Sequence, residues 1–227
     1  MRLVFISDTH NHIDFKIPKG DILVHSGDLT MMGRVPEVVK SAEWLGKLKD
    51  SHGFKAIVLV PGNHDWLAEK EPGLMRAAME EVGVVYLDHK AAVVEGLRFF
   101  GSGYTPRFYD WALNVDRGPK LAALWAQIPD DTQVLITHGP PMGQLDTCPA
   151  RDDDGYPNGL TEHVGCADLR DRIKDLKDLK VHAFGHIHRP GKTVVDGVAY
   201  FNASTCNERY KPVHEPQVFD IRRPHGG

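Results

Sequence analysis

Nine polar residues of this 227-residue chain fall into five short clusters. They are Asp8 with His10, Asp28, Asn63 with His64 and Asp65, His138, and His186 with His188. All offer oxygen or nitrogen donors and none a thiolate. That set suits manganese, iron, nickel, cobalt or zinc, and disfavours a cysteine-built structural zinc site. Asp8 and His10 are two residues apart, as are His186 and His188, so each pair shares one side of an extended segment. Glycines stand beside the clusters (Gly27, Gly62, Gly139, Gly185), where the backbone can turn sharply and come close to an ion. Seven plausible ligands (Asp8, His10, Asp28, Asn63, His138, His186, His188) are more than one four- to six-coordinate ion needs. If one carboxylate bridges, the set fits two ions, the usual apparatus for in-line displacement at phosphorus.

Taken singly, each cluster has an ordinary explanation. Gly-Asp after an apolar run reads as a turn. A lone histidine at a strand end reads as a hydrogen-bonded structural residue. The combination is harder to dismiss, because each cluster closes an apolar run. FIS precedes Asp8, LVHS precedes Gly27-Asp28, VLVP precedes Gly62-Asn63-His64-Asp65, VLIT precedes His138, and HAF precedes Gly185-His186. Ligands of open α/β sheets bind outside the carboxyl ends of the strands. Five such ends on one edge would bring the clusters together.

The elements that must do this are short apolar runs, read as strands over 3–6, 22–25, 56–60, 84–86, 92–94, 98–100, 133–137, 181–184, 193–195, 198–201 and 218–221. Helical spacing predicts a helix through Val38, Ala42, Leu45 and Lys49, and another through Cys166, Leu169, Ile173 and Leu176. Weaker patterns run over 74–82 and 120–127. Early strand–helix alternation predicts parallel pairing, and Asp196-Gly197 predicts a late hairpin, so the sheets are expected to be mixed. Residues 140–163 show little periodicity and carry the charge run Arg151-Asp152-Asp153-Asp154, the pattern of a long irregular loop beside a site or of a solvated excursion.

Composition sets outer bounds. Hydrophobic residues at 41% and charged residues at 26% exclude wholesale disorder, a coiled coil and a collagen-like chain. Length and the lack of a linker predict one domain over 1–227. The net charge of −4 argues against non-specific nucleic-acid binding. Three cysteines, none in a CxxC, argue against a disulfide scaffold. The opening MRLVFISDTH has an apolar stretch too short for a signal peptide or membrane span, which predicts a cytoplasmic protein off the membrane. On that reading the Asn202-Ala203-Ser204 sequon carries no weight.

Asp-x-His, Gly-Asp, Gly-Asn-His-Asp, Thr-His-Gly and Gly-His-x-His, running from Asp8 to His188, together resemble the calcineurin-like metallophosphoesterase superfamily. DILVHSGDLT, THGPP, VGCADL and FNASTC are similar to its MPPED-type branch, the class III cyclic-nucleotide phosphodiesterase-like group. The resemblance implies a four-layer α/β/β/α sandwich with two mixed sheets and a binuclear centre of divalent or trivalent transition-metal ions, manganese first. It implies Asp8, His10 and His188 on one ion, Asn63, His138 and His186 on the other, and Asp28 between them. His64 would face the scissile phosphate, with Asp65 holding its ring.

The reading that follows is a metal-dependent phosphodiesterase acting on a small diester such as a cyclic nucleotide. A hydroxide between the metals would attack phosphorus, and His64 would serve the leaving group. The rivals are a nuclease or phosphomonoesterase on the same site, and a silent scaffold on the same fold. A nuclease would want a basic groove, and a dead site would show lost ligands. Gly185 and Gly191-Lys192-Thr193 miss phosphate-loop spacing by one residue. His25 and His182 are expected in the core, as is Cys206. Tyr104, Phe108, Tyr109 and Trp111 could line a nucleobase pocket, but a small satellite core is the expectation.

Overall fold

The structure is a computed structural model and describes residues 1–151 and 157–222. Asp152, Asp153 and Asp154 of the charge run lie outside the described residues. The first half of the chain runs β1 (Arg2–Ile6), β2 (Ile22–His25), α1 (Val35–His52), β3 (Ala56–Leu59), α2 (Trp66–Lys70), α3 (Pro72–Glu81), β4 (Val85–Tyr86), β5 (Lys90–Val94) and β6 (Leu97–Ser102). The second runs β7 (Thr105–Pro106), β8 (Asn114–Val115), α4 (Pro119–Trp125), β9 (Val134–Thr137), β10 (Thr147–Arg151), β11 (Pro157–His163), α5 (Ala167–Ile173), β12 (Val181–Phe184), β13 (Gly191–Val195), β14 (Val198–Asn202) and β15 (Gln217–Asp220).

Two large sheets result among the described residues, with strand orders β15-β1-β2-β3-β4 and β13-β14-β12-β9-β6-β5, beside the two-stranded pairs β7-β8 and β10-β11. Each large sheet is parallel inside and antiparallel at an edge: β15 in the first, β13 and β5 in the second. The inner strands are continuous apolar runs because both faces are covered. Leu3, Phe5, Val24 and Val58 of the first sheet meet Phe99, Ile136, Ala183 and Phe201 of the second in a central core. Alternate residues turn outward. Val4, Ile6, Ile57 and Leu59 pack under Val38, Leu45 and Met75 of α1 and α3. Leu135, Phe184 and Tyr200 pack under Leu121, Trp125 and Leu169 of α4 and α5. The layers are therefore α/β/β/α, and truncating one central Leu or Phe should cost about 2–5 kcal/mol.

The strands expected from sequence all form, with ends moved by a residue or two. Asp196 and Gly197 both take positive φ in the β13–β14 turn, as a type I′ hairpin requires. Three differences stand out. The helix expected through Leu176 stops at Ile173, and Leu176 packs from the turn beyond it. The region 140–163 is not simply irregular. It holds an antiparallel hairpin, β10–β11, bulged between Pro149 and Arg151, and pinned at its base by the Asp146 carboxylate, which accepts from His163 Nδ1 (2.8 Å) and Gly165 N (3.1 Å). Gly191, Lys192 and Thr193 are an edge strand, not a phosphate loop. The three cysteines are free, and among the described residues no helix is long and apolar enough to cross a membrane.

His25 and His182 are buried strand residues, as expected. Thr137 Oγ1 donates to Gly139 O (2.7 Å), so at 2.8 Å it accepts from His182 Nε2–H. Nδ1 is then bare and has no partner among the described residues. Burial pulls the His182 imidazolium down to about 3 from its ordinary 6.5. Between those values the unfolded chain binds the extra proton, so the stability is complete above pH 6.5 and is lost as pH falls toward 3. His182→Gln retains a donor for Thr137 without the titrating group. Its urea midpoint should therefore fall less steeply with acidification than that of the wild type. Parallel pH profiles would mean that His182 does not resist protonation in the fold.

Candidate active site

The carboxyl ends of β1, β2 and β3 in one sheet, and of β9 and β12 in the other, open on one rim. Beyond the strands the loops stay zipped: Asp8 N donates to Gly27 O (2.9 Å), His10 N to Asp28 O (3.1 Å), Gly185 N to His138 O (2.9 Å) and Thr205 N to Ser7 O (2.8 Å). Among these loops Asp8, His10, Asp28, His186 and His188 take positive φ, from 38° to 70°. For non-glycine residues that conformation costs roughly 1 kcal/mol or more each, and it persists only where the surroundings over-determine it. Two glycines permit the closest approaches. A Cβ on Gly62 would lie 2.2 Å from Asp28 Oδ1, and one on Gly185 would lie 2.1 Å from Asp8 Oδ2. Gly139 is different, since a Cβ there would meet nothing nearer than Thr105 at 3.3 Å.

Asp8, His10, Asp28 and His188 bring ligand atoms within 4.8 Å of one another. His10 Nε2 lies 3.1 Å from His188 Nε2, and His188 Nε2 lies 3.3 Å from Asp8 Oδ1. Asn63 Oδ1 gathers a second group, 2.9 Å from His138 Nε2 and 2.8 Å from His186 Nδ1. Asp28 stands between the groups, with Oδ1 3.3 Å from His138 Nε2 and Oδ2 3.8 Å from His10 Nε2.

The outer nitrogens explain which way the rings face. His138 Nδ1–H donates to Ser26 O (2.9 Å) and His188 Nδ1–H to Asn207 O (2.9 Å). Each leaves its Nε2 lone pair turned inward, a common support for metal-binding histidines. Inward, however, these lone pairs meet carboxylate and amide oxygens, acceptor against acceptor. A cation, either proton or metal, reconciles such contacts. The titration behaviour agrees. Burial opposes the charged form of His138, yet Asp28 outweighs it and pushes that imidazolium up to about 9. Burial likewise opposes ionisation of Asp28 and Asp8, but His138 and His188 respectively hold the carboxylates below their usual range. Burial lowers His10 and His186 to about 4, so both are neutral and able to ligate. Buried carboxylate, amide and neutral imidazole donors fit one or more transition-metal ions.

His64 sits over this floor. Its backbone N–H donates to Asp28 Oδ1 (2.8 Å), and Nδ1–H donates to Met31 O (2.7 Å). Trp111 stacks on its ring, centroids 4.2 Å apart. Nε2 is thereby left for the cleft. The expectation that Asp65 holds the His64 ring is corrected here. Asp65 points beneath its own loop and accepts from Gly62 N, Leu29 N, Thr30 N and Thr30 Oγ1 (2.6–3.2 Å). It ties the β2 and β3 loops together, and the backbone carbonyl of Met31 takes the role expected of its carboxylate. The satellite-core expectation is corrected too. Tyr104 does pack inward, but Phe108, Tyr109 and Trp111 line the cleft.

Sequence reasoning did not anticipate the stretch after β14. Ser204 Oγ donates to Asp8 Oδ2 (2.8 Å), Asn207 O anchors His188, and the Tyr210 ring lies edge-on to His10 (4.8 Å) and His188 (5.5 Å). The sequon is buried and serves this contact. The FNASTC resemblance was the only signal for it.

Comparison with known proteins fits this geometry. Residues 1–190 match the calcineurin-like phosphoesterase family. The human metallophosphoesterase domain-containing protein 1 is 34% identical, over 98% of this chain and 72% of its own length. Among solved structures, a phosphopantetheinyl hydrolase of Mycobacterium tuberculosis overlays with a TM-score of 0.59 at 20% identity, covering 92% of this chain and 90% of its own. A dimetal phosphatase of Danio rerio does so with a TM-score of 0.50 at 11% identity, covering 89% and 86%.

Asp28 is the group whose loss should be felt on both sides. Asp28→Asn keeps the shape and removes the charge. Elemental analysis should show the total metal content of the purified variant falling, with phosphoester hydrolysis down at least about 100-fold. Full metal content with normal turnover would exclude Asp28 as a ligand.

Proposed function

The chain belongs to the calcineurin-like phosphoesterase family and is a metal-dependent phosphoester hydrolase; from that premise we propose that it is a binuclear phosphodiesterase acting on small diesters such as cyclic nucleotides. The observation that carries the reading is the Asp28 carboxylate, which turns one oxygen toward His10 and the other toward His138. On this reading Asp8, His10 and His188 hold one ion, Asn63, His138 and His186 hold the other, and Asp28 bridges. Manganese is the first expectation, with iron, zinc, cobalt or nickel also suited to oxygen and imidazole donors. Residues 1–227 act as one catalytic domain.

Bound ions would supply Lewis acidity at the phosphoryl oxygens and a water acidic enough to ionise near neutral pH. The chain supplies the rest. Asp8 and Asp28, held as carboxylates, keep the rim electron-rich and fix the ligand rings. Met31 O and Trp111 hold the His64 imidazole in one orientation, with Nε2 toward the cleft. Protonated there, His64 donates to the leaving alkoxide and the departing group leaves neutral.

The cleft favours a diester. Its volume of about 580 Å³ suits a small molecule. Of its arginines, Arg107 is engaged by Asp116 (2.6 Å), and Arg117 by the carbonyls of Val164 (2.6 Å) and Gly165 (2.8 Å). Arg117 is not free for the bidentate clamp that a dianionic monoester would want, and Arg107 shares its charge with Asp116. Glu162 adds a negative charge to the same wall. The net charge of −4 weighs against a polynucleotide.

The test is hydrolysis by metal-reconstituted protein of 3′,5′- and 2′,3′-cyclic nucleotides, a nitrophenyl diester and a monoester. Cyclic nucleotides should exceed the monoester. His64→Ala should lose about 10²–10⁴-fold on a nucleotide diester, whose ribose alkoxide needs a proton. It should lose far less on the nitrophenyl diester, whose leaving group does not, with metal content retained. Equal losses would assign His64 to charge stabilisation instead.

A further inference from the structure

Phe108 and Tyr109 stand out in the cleft because they are large rings left in solvent, 49% and 73% exposed. Leaving them there forfeits burial that the chain could otherwise gain. It is not a slack loop that does so. The Asn114 side chain donates to Phe108 O (3.1 Å) and Tyr109 O (3.2 Å), and accepts from Phe108 N (3.4 Å). Arg107 N donates to Val115 O (2.8 Å), and Arg107 Nε to Asp116 Oδ1 (2.6 Å). Tyr109 is held at φ 50°, a conformation that a bulky side chain rarely takes without a compensating use.

Position gives that use a direction. The two rings meet edge-on at 4.5 Å, and Phe108 lies edge-on to His186 at 5.9 Å. The pair therefore begins at a candidate metal ligand and runs outward. Across the same cavity stand Pro149 and Val164 of the β10–β11 region. The third ring, Trp111, is already covered by His64. An ester whose phosphorus lies over the ligand cluster would carry its non-reacting half along Phe108 and Tyr109.

We propose that Phe108 and Tyr109 form an aromatic platform for the base of a nucleotide ester, one ring offering its face and the other, inclined at 61° to it, meeting the base edge, with the larger ring system of a purine preferred. This rests on the diesterase reading above. Aromatic platforms suit bases because every base offers a flat π-face, and one such contact changes affinity about 5- to 100-fold.

The experiment compares adenosine cyclic phosphate, cytidine cyclic phosphate and a base-free ribose cyclic phosphate on wild type, Phe108→Leu, Tyr109→Leu and the double variant. Both positions are exposed and leucine preserves bulk, so folding should survive; circular dichroism and metal content check this. The ratio of kcat/KM for the adenosine ester to that for the base-free ester should fall about 10-fold in each single variant and further in the double variant, mainly through KM. Tyr109→Phe should restore the ratio. Calorimetric titration with adenosine monophosphate gives a readout free of turnover, and its Kd should weaken in parallel. An unchanged ratio and unchanged Kd in the double variant would overturn the platform, as would a wild type that binds no adenosine monophosphate. If the wild type cleaves no cyclic nucleotide yet loses adenosine monophosphate binding in the double variant, the diesterase reading fails and the platform stands.

Discussion

Electron-rich atoms pressed together at a nearly dry rim are what the rest of this structure serves. Asp8 and Asp28 are buried, and a buried carboxylate without partners is strongly destabilising. They accept from Ser204 Oγ, His186 N and His64 N, but the imidazoles of His138 and His188 beside them have already committed their outward N–H groups to carbonyls. A positive charge placed among them balances what these neutral donors leave uncompensated. The rim is thus suited to a cation. The left-handed backbone at five of its residues adds to the local cost.

That cost is carried by the loops rather than by the sheets. Hydrogen bonds from Asp8, His10 and Gly185 extend the parallel ladders past the strand ends. Asp65 gathers four donors from the β2 and β3 loops. Burial and the nearby Asp28 charge push its pKa up, yet its hydrogen bonds hold the segment that carries Asp28 and Thr30 against the one that carries Asn63 and His64. Ser204 and Asn207, from the segment after β14, support Asp8 and His188 from the opposite side. The site is therefore a product of long-range closure between segments almost two hundred residues apart.

This division explains what could be read in advance. The ligands were legible because each ends an apolar run, and the runs were legible because inner strands covered on both faces leave little room for polar residues. The supports were not. Met31, Ser26 and Asn207 act through backbone carbonyls, which every residue possesses, so no residue type marks the role. Asp65 looked like a ring partner because it adjoins His64 in sequence, but neighbours in a tight loop turn to different sides. The β10–β11 hairpin escaped because Pro149, Pro157 and Gly159 interrupt the alternation that signals a strand. Phe108 and Tyr109 were expected to fold into a small core because burial is the usual fate of rings, and sequence carries no sign that Asn114 would hold them out.

The same division separates chemistry from selectivity. Every candidate metal ligand leaves a strand end or the short turn after it, where the two-sheet core fixes position closely. The walls of the cleft come instead from the segment between β6 and α4 and from the β10–β11 region, which the core constrains less. Phe108 meets the ligand set edge-on at His186, and Glu162 stands on the hairpin. Those walls can change without disturbing the balance of charge at the rim, whereas a change to Asp28 alters both ligand groups together. Selectivity for the non-reacting half of a substrate is thus physically separable here from the ability to cleave its phosphoester.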